Sequence, residues 1–176
     1  HGTFAQTETG LTITGFSTQA EVANQYDLMY TPRVVDMDKN SPGTTVPLVF
    51  KHALTSVVFK ATNTDATAAY VIKSLTVNGK VSTTGNFNQN ITNAADVDGT
   101  AAWTNLSPAT DMTYSILSSK TINVEQDPGT NLTGVGSTAG ATTALLLIPQ
   151  GVDANTTVTI TYTKTAGGIS WDATAT

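Results

Sequence analysis

Few side chains in this sequence are placed to do chemistry. There are two histidines, His1 and His52, and the notable carboxylate pairs are Asp36/Asp38 and Asp96/Asp98. A catalytic histidine needs a carboxylate to orient it and a nucleophile to activate. No such spacing surrounds His52, which sits among Phe50, Leu54 and Val57 and reads as a packed or hydrogen-bonded structural residue. Asp96-Val97-Asp98-Gly99 begins like a calcium loop, yet its twelfth position is Ser107 where a bidentate glutamate is required, so a solvated loop is the simpler reading. A glycosidase would need two carboxylates facing across a cleft, which spacing on loops does not show. The sequence contains no glycine-rich phosphate cradle, no G-x-S-x-G elbow and no H-E-x-x-H. No catalytic, cofactor-binding or metal-binding residue is therefore assigned, and the expectation is a protein that is not an enzyme. Phe87 and Trp103, on a segment rich in Asn, Ala, Gly and Thr from Gly85 to Pro108, are candidate ligand-contact aromatics that could stack on a sugar or a host protein.

The elements that would carry these residues follow from composition. The chain has 176 residues, enough for one domain with a core of its own, and no cysteine. That excludes disulfides, thiolate metal sites and a cysteine nucleophile, without fixing the compartment. Eight basic against thirteen acidic residues give a net charge of -5, the opposite of a nucleic-acid-binding footprint. No apolar run is long enough for a membrane-spanning helix. Residue 1 is His rather than Met, which reads as a processed or engineered form from which a signal peptide or lipid-anchor cysteine would already be gone. About one residue in five is threonine, and good helix formers are scarce. Thr and Val suit a pleated, half-buried sheet. The fold class predicted is all-β.

The organising stretch is Val46 to Thr62. Leu48, Phe50 and Leu54 share one parity, and Val57, Phe59 and Ala61 the other, so a bulge or helical turn at His52 to Ser56 must shift the register if both sets are to face one core. Before it, residues 1–26 form a lead segment with a short edge strand at Leu11 to Thr14 and a tolerable helical turn at Ala20 to Tyr26; residues 27–176 form the main domain. Asn40-Ser41-Pro42-Gly43 and Asp127-Pro128-Gly129 are turn signals. Val71, Leu75 and Val77 predict a strand ending in a hairpin at Asn78-Gly79, with Lys80 to Thr84 returning. A long loop is predicted from Gly85 to Thr110. Met112, Tyr114 and Ile116 alternate, as do Ile122 and Val124. Thr130 to Thr143 is low in complexity, and Ala144 to Ile148 suits a central strand covered on both sides.

The C-terminal part has the cleanest pattern. Val158, Ile160 and Tyr162 alternate with threonines, Gly167-Gly168 turns the chain, and Ile169, Trp171, Ala173 and Ala175 alternate again. A terminal strand with little charge and neither proline nor lysine invites pairing, within its own sheet or with a neighbouring copy. Val158, Ile160, Tyr162, Ile169 and Trp171 are therefore the candidate subunit-interface residues. Strands at this spacing argue for a single-domain β-sandwich.

Asp27-Leu28-Met29-Tyr30, then V-P-L-V-F-K-H-A-L-T-S-V-V-F-K-A at Val46 to Ala61, I-K-S-L-T-V at Ile72 to Val77, L-L-L-I-P-Q at Leu145 to Gln150 and V-T-I-T-Y at Val158 to Tyr162 follow one another as in the fimbrillin family of Bacteroidales surface proteins, which this chain resembles. The F-K-H-A-L stretch is the most specific of these. The resemblance implies a transthyretin-like, Greek-key β-sandwich and export as a lipid-anchored precursor to the outer membrane. It also implies a structural role as a subunit of a pilus or related adhesin that self-associates by strand exchange, with a host or bacterial surface ligand as a further partner. The chain departs from the usual family pattern in two places: the portion before Asp27 is too short for a second sandwich domain, and no W-x-x-G-K-x-Y-x-Y strand follows Trp171. A monomeric surface module binding a glycan or host protein is the alternative.

Overall fold

A computed structural model of the chain describes residues 2–7, 9–32, 45, 48–91, 100–117, 122–124, 130–132 and 144–176. In chain order its strands are β1 (Thr3–Thr7), β2 (Gly10–Ser17), β3 (Met29–Tyr30), β4 (Lys51–His52), β5 (Thr55–Val57), β6 (Lys60–Ala61), β7 (Ala68–Val81) and β8 (Thr84–Asn90). They continue with β9 (Thr100–Thr104), β10 (Thr110–Leu117), β11 (Ile122–Val124), β12 (Thr130–Asn131), β13 (Leu145–Leu147), β14 (Thr157–Ala166) and β15 (Ile169–Ala175). A 3-10 turn at Val22–Asn24 falls where the sequence tolerates one. The protein is all-β, as its composition predicts.

Every pairing is antiparallel. One sheet runs β1-β2-β8-β9, and a five-stranded sheet runs β10-β7-β14-β15 with β11 also on β7; β3-β4, β5-β13 and β6-β12 make short ribbons. Two principal antiparallel sheets are consistent with a β-sandwich. The main core lies on one face of the five-stranded sheet, where Ile72, Leu75, Val77 and Val81 of β7 join Tyr114 and Ile116 of β10, Val22, Leu132 and Leu145. Burying a side chain such as Leu75, 1% exposed, contributes roughly 1.5–3 kcal/mol. A second, aromatic cluster belongs to the four-stranded sheet: Phe16 and Trp103 lie 5.5 Å apart, Phe87 and Trp103 5.4 Å, and Tyr30 and Phe87 5.0 Å.

Several sequence expectations are corrected. Asn78-Gly79 is not a hairpin: β7 runs through it, with Asn78 opposite Thr113 and Gly79 opposite Met112, and neither residue has the positive φ such a turn needs. Glycine is required here by a close approach instead, since a Cβ on it would meet Thr156 Oγ1 at 2.5 Å. Lys80 and Val81 continue the same strand and do not return. Within β7, Ser74 pairs with Thr161 and Ile72 with Tyr162, so Lys73 is an extra residue that flips the alternation; Ile72, not Val71, is buried with Leu75 and Val77.

The expected loop from Gly85 to Thr110 contains β8 and β9. Leu11 to Thr14 belongs to an inner strand, with β1 outside it as the edge, so residues on both sides of Asp27 share one sheet. Among the described residues Leu145 to Leu147 pairs only with β5, in a two-stranded ribbon rather than at the centre of a sheet. The register break in the organising stretch is present, with consecutive Ala53 and Leu54 both buried between β4 and β5. Leu48 and Phe50 upstream of it are 54% and 56% exposed, and so are not core. The turn segments Asn40 to Gly43 and Asp127 to Gly129 lie outside the described residues.

Candidate subunit-interface site

The five candidate interface residues come together on one hairpin. Gly167 and Gly168 have φ of 58° and 80°, the pair of positive values that a two-residue turn matching the sheet twist demands. The turn sets the register Ala166↔Ile169, Lys164↔Trp171, Tyr162↔Ala173 and Ile160↔Ala175. On its other side β14 pairs with β7, placing Val158 opposite Val77 and Ile160 opposite Leu75. Because opposed residues of an antiparallel pair share a face, Val158, Ile160, Tyr162, Ile169 and Trp171 all lie on the face that carries the core.

They are covered unequally. Ile160 and Tyr162 pack against the core cluster, whereas Val158 is 36%, Trp171 45% and Ile169 69% exposed. The terminal segment thus pairs within its own sheet, and its apolar face is left half open towards the turn. Beside it runs a groove of about 260 Å³ lined by Ala61 to Asp65, Tyr70, Ile72, Val124, Ile160 and Tyr162. Sequence alternation identifies Ile160, Tyr162 and, on the opposite wall, Ala61; the rest of that wall, from Thr62 to Asp65, carries no local signal that would have marked it.

Charge is concentrated at one end of the groove. The Lys164 ammonium lies 5.3 Å from the Tyr70 ring centroid and 5.9 Å from that of Trp171, and donates to Asp65 Oδ2 at 3.3 Å. Hydrogen bonds from Lys164 to Tyr70 and Asp65 raise its pKa above the ordinary lysine value. Asp65 is held below the usual carboxylate range, first by the Thr67 hydroxyl and backbone N–H and then by Lys164. On the opposite face of the sheet Lys73 donates to Asp172 Oδ1 at 2.7 Å and Thr163 to the same oxygen at 2.6 Å, which together lower the pKa of Asp172.

The other candidates lie elsewhere. Phe87 and Trp103 are directly opposed across β8 and β9; Phe87 is 2% exposed, and Trp103 donates its indole N–H to the Ala53 carbonyl at 2.8 Å. His52 is largely exposed and pairs through Nδ1 with Asp27 Oδ2 at 2.5 Å, a hydrogen-bonded tie between β4 and the residues preceding β3. Asp36, Asp38, Asp96 and Asp98 lie outside the described residues. Among the described residues no group of three or more His, Cys, Asp or Glu could hold a metal ion, and no helix is long and apolar enough to cross a membrane.

Compared with known families, the chain matches over residues 2–176 the family described as fimbrillin-like. Searches of curated proteins and of solved structures give no match.

Proposed function

The chain belongs to the fimbrillin-like family, whose members are structural pilus subunits, and from that premise we propose that it polymerises by strand exchange between copies at the cell surface. The observation that carries this reading is the groove beside β14. Its floor is apolar, from Ile72, Val124 and Ile160, and it is open to solvent while flanked by strands of the main sheet. A β-segment from a sister molecule laid there would bury Ile160 and Tyr162 further in side-chain pockets, with residues 62–65, which belong to no described strand, as the rim that offers backbone to it. Adhesion through a host or bacterial surface ligand, a lipid-anchored outer-membrane precursor and a transthyretin-like, Greek-key order of the sandwich complete the proposal. Because β15 is already paired with β14 in the same chain, this hairpin acts as groove wall, with Val158, Ile169 and Trp171 as flanking contacts.

Electron microscopy of the purified chain tests the proposal, with Ala61→Trp as the informative variant. Ala61 is partly exposed on the groove wall away from the hairpin, so a large ring there fills the groove and covers Ile160 and Tyr162 without replacing any residue of β14 or β15. Filaments from wild type and none from Ala61→Trp, with unchanged circular dichroism, are the expected result. Equal filaments from both would remove the groove from the assembly. A monodisperse wild-type chain that binds on a glycan array would favour the monomeric adhesin instead.

A further inference from the structure

Among the described residues β15 pairs only with β14, so no described strand covers its outer side, and six of its seven residues are exposed. Most of the devices that normally blunt an edge are missing: Ile169–Ala175 contains no proline, lysine or bulge, and Asp172 is its one charge. One face of the strand carries Ile169, Trp171 and Ala173, and the other Ser170, Asp172 and Thr174. The apolar face is half open, with Ile169 69% and Trp171 45% exposed.

We propose that β15 is an interface with a second copy of this chain, the two strands pairing antiparallel about a two-fold axis at Trp171. The two-fold requires one residue to face itself, and side chains must keep their faces, so only whole-residue centres are available. Centring on Ile169, Ser170, Thr174 or Ala175 overlaps at most three residues of β15, and centring on Ala173 leaves Ile169 outside the ladder with Trp171 facing only Ala175. Centring on Asp172 gives the longest ladder but sets two carboxylates directly opposite each other, which is destabilising, and each is kept ionised by its Lys73 and Thr163 contacts. Centring on Trp171 stacks the two indoles at the axis and places Ile169 opposite Ala173 of the second copy. Ser170 then opposes Asp172 of the second copy, a hydroxyl facing a carboxylate. Charge and apolar burial both favour this register.

The contact is isologous and closes on itself, so it does not by itself build a filament. A short edge-to-edge ladder is weak between two free subunits. Repeated along two filaments lying side by side it becomes strong through multivalency, which makes it a surface for lateral pairing. The contact itself does not depend on groove-mediated assembly, whereas its lateral role rests on filaments forming.

Single-cysteine variants report the register, because the chain has no cysteine of its own. Opposed residues in an antiparallel pair have Cα atoms roughly 4.5–5.5 Å apart, within disulfide reach. Trp171→Cys should therefore give a disulfide-linked dimer under mild oxidation, and Asp172→Cys should not. A dimer from Asp172→Cys in place of Trp171→Cys, or from neither, overturns the proposal. Sedimentation velocity supplies an independent readout. Ser170→Lys places a cation opposite Asp172 of the second copy twice across the axis and should tighten dimerisation about three- to tenfold, while Ser170→Asp should weaken it comparably. Identical association constants for the two variants would sink the idea. Filaments scored in the same preparations separate the two readings: filaments without the dimer refute this contact alone, and the dimer without filaments refutes groove-mediated assembly alone.

Discussion

The side-chain amide of Gln150 exchanges two hydrogen bonds with the backbone of Ser82: the Ser82 N–H donates to Oε1 at 2.7 Å, and Nε2 donates to the Ser82 carbonyl at 2.9 Å. Ser82 is 8% exposed and lies where the chain leaves β7 for β8, passing from one sheet to the other. At that step no ladder partner is available, and Gln150 supplies both halves of one. Gln150→Ala strands a donor and an acceptor together and should cost about 2–4 kcal/mol. Gln150→Glu keeps the shape but turns a carboxylate towards the Ser82 carbonyl, and should be no milder. Urea unfolding checks both, as a lower midpoint at unchanged slope.

Gly79 and Thr156 form a second close fit. With Thr156 Oγ1 at 2.5 Å and Cγ2 at 2.9 Å from the position of an added Cβ, Gly79→Ala should destabilise by about 1–3 kcal/mol through overpacking. Thr156 Oγ1 is buried with no hydrogen-bond partner among the described residues, so Thr156→Ala alone should be mild. The double variant should recover most of the loss, and a double-mutant cycle measures that coupling. Simple additivity would mean that Thr156 is not what glycine accommodates.

How far the sequence speaks depends on the range over which the deciding contact acts. β14, β15 and their turn are legible because alternation and a Gly-Gly pair are local signals that tertiary pairing reinforces. At Asn78-Gly79 an equally strong local signal loses, since β10 and β14 pair along both sides of β7 and hold it extended. The strand Thr84–Asn90 is hidden because Gly85, Phe87 and Gln89 face inwards with polar neighbours between them, a pattern that reads as loop until β2 and β9 are known to flank it. The contact of Phe87 with Trp103 and the tie of His52 to Asp27 join residues whose separations match no motif. Of the candidate site, the wall on β14 and Ala61 opposite it are written in period-two alternation, and the stretch from Thr62 to Asp65 is not written in any local pattern.

The register break in the organising stretch makes a direct contrast between two residues of the same parity. Leu54 is 7% exposed and Phe50 56%, although alternation alone assigns both to the core. Leu54→Ala should cost about 2–5 kcal/mol, whereas Phe50→Ala should stay within about 0.5 kcal/mol. Thermal midpoints separate the two clearly, at roughly 2–4 °C per kcal/mol for a chain of this size. A comparable loss at Phe50 would place that ring in a core.

Acid should act on this protein through two carboxylates on or beside the β14–β15 hairpin. Asp172, lowered by Lys73 and Thr163, and Asp65, lowered by Thr67 and Lys164, both favour the ionised form more in the fold than in the unfolded chain. A depressed folded pKa contributes stability that is complete above the unfolded carboxyl value of about 3.9, and that disappears as pH falls through the lower folded value. Their contribution should therefore be flat from neutral pH down to about 5 and lost below about 4. Lys164 has the opposite sense: its raised pKa contributes stability that is complete at neutral pH and lost only as pH rises through the folded value, above about 10.4. The double variant Asp65→Asn/Asp172→Asn should flatten the acid limb of a plot of thermal midpoint against pH, without steepening it between pH 5 and 7. An acid limb identical to wild type would show that neither pair is coupled to folding. Because the Lys73–Asp172 pair is exposed and the Lys164–Asp65 pair partly so, moderate salt should shrink the wild-type acid response towards that of the double variant, mostly through Asp172.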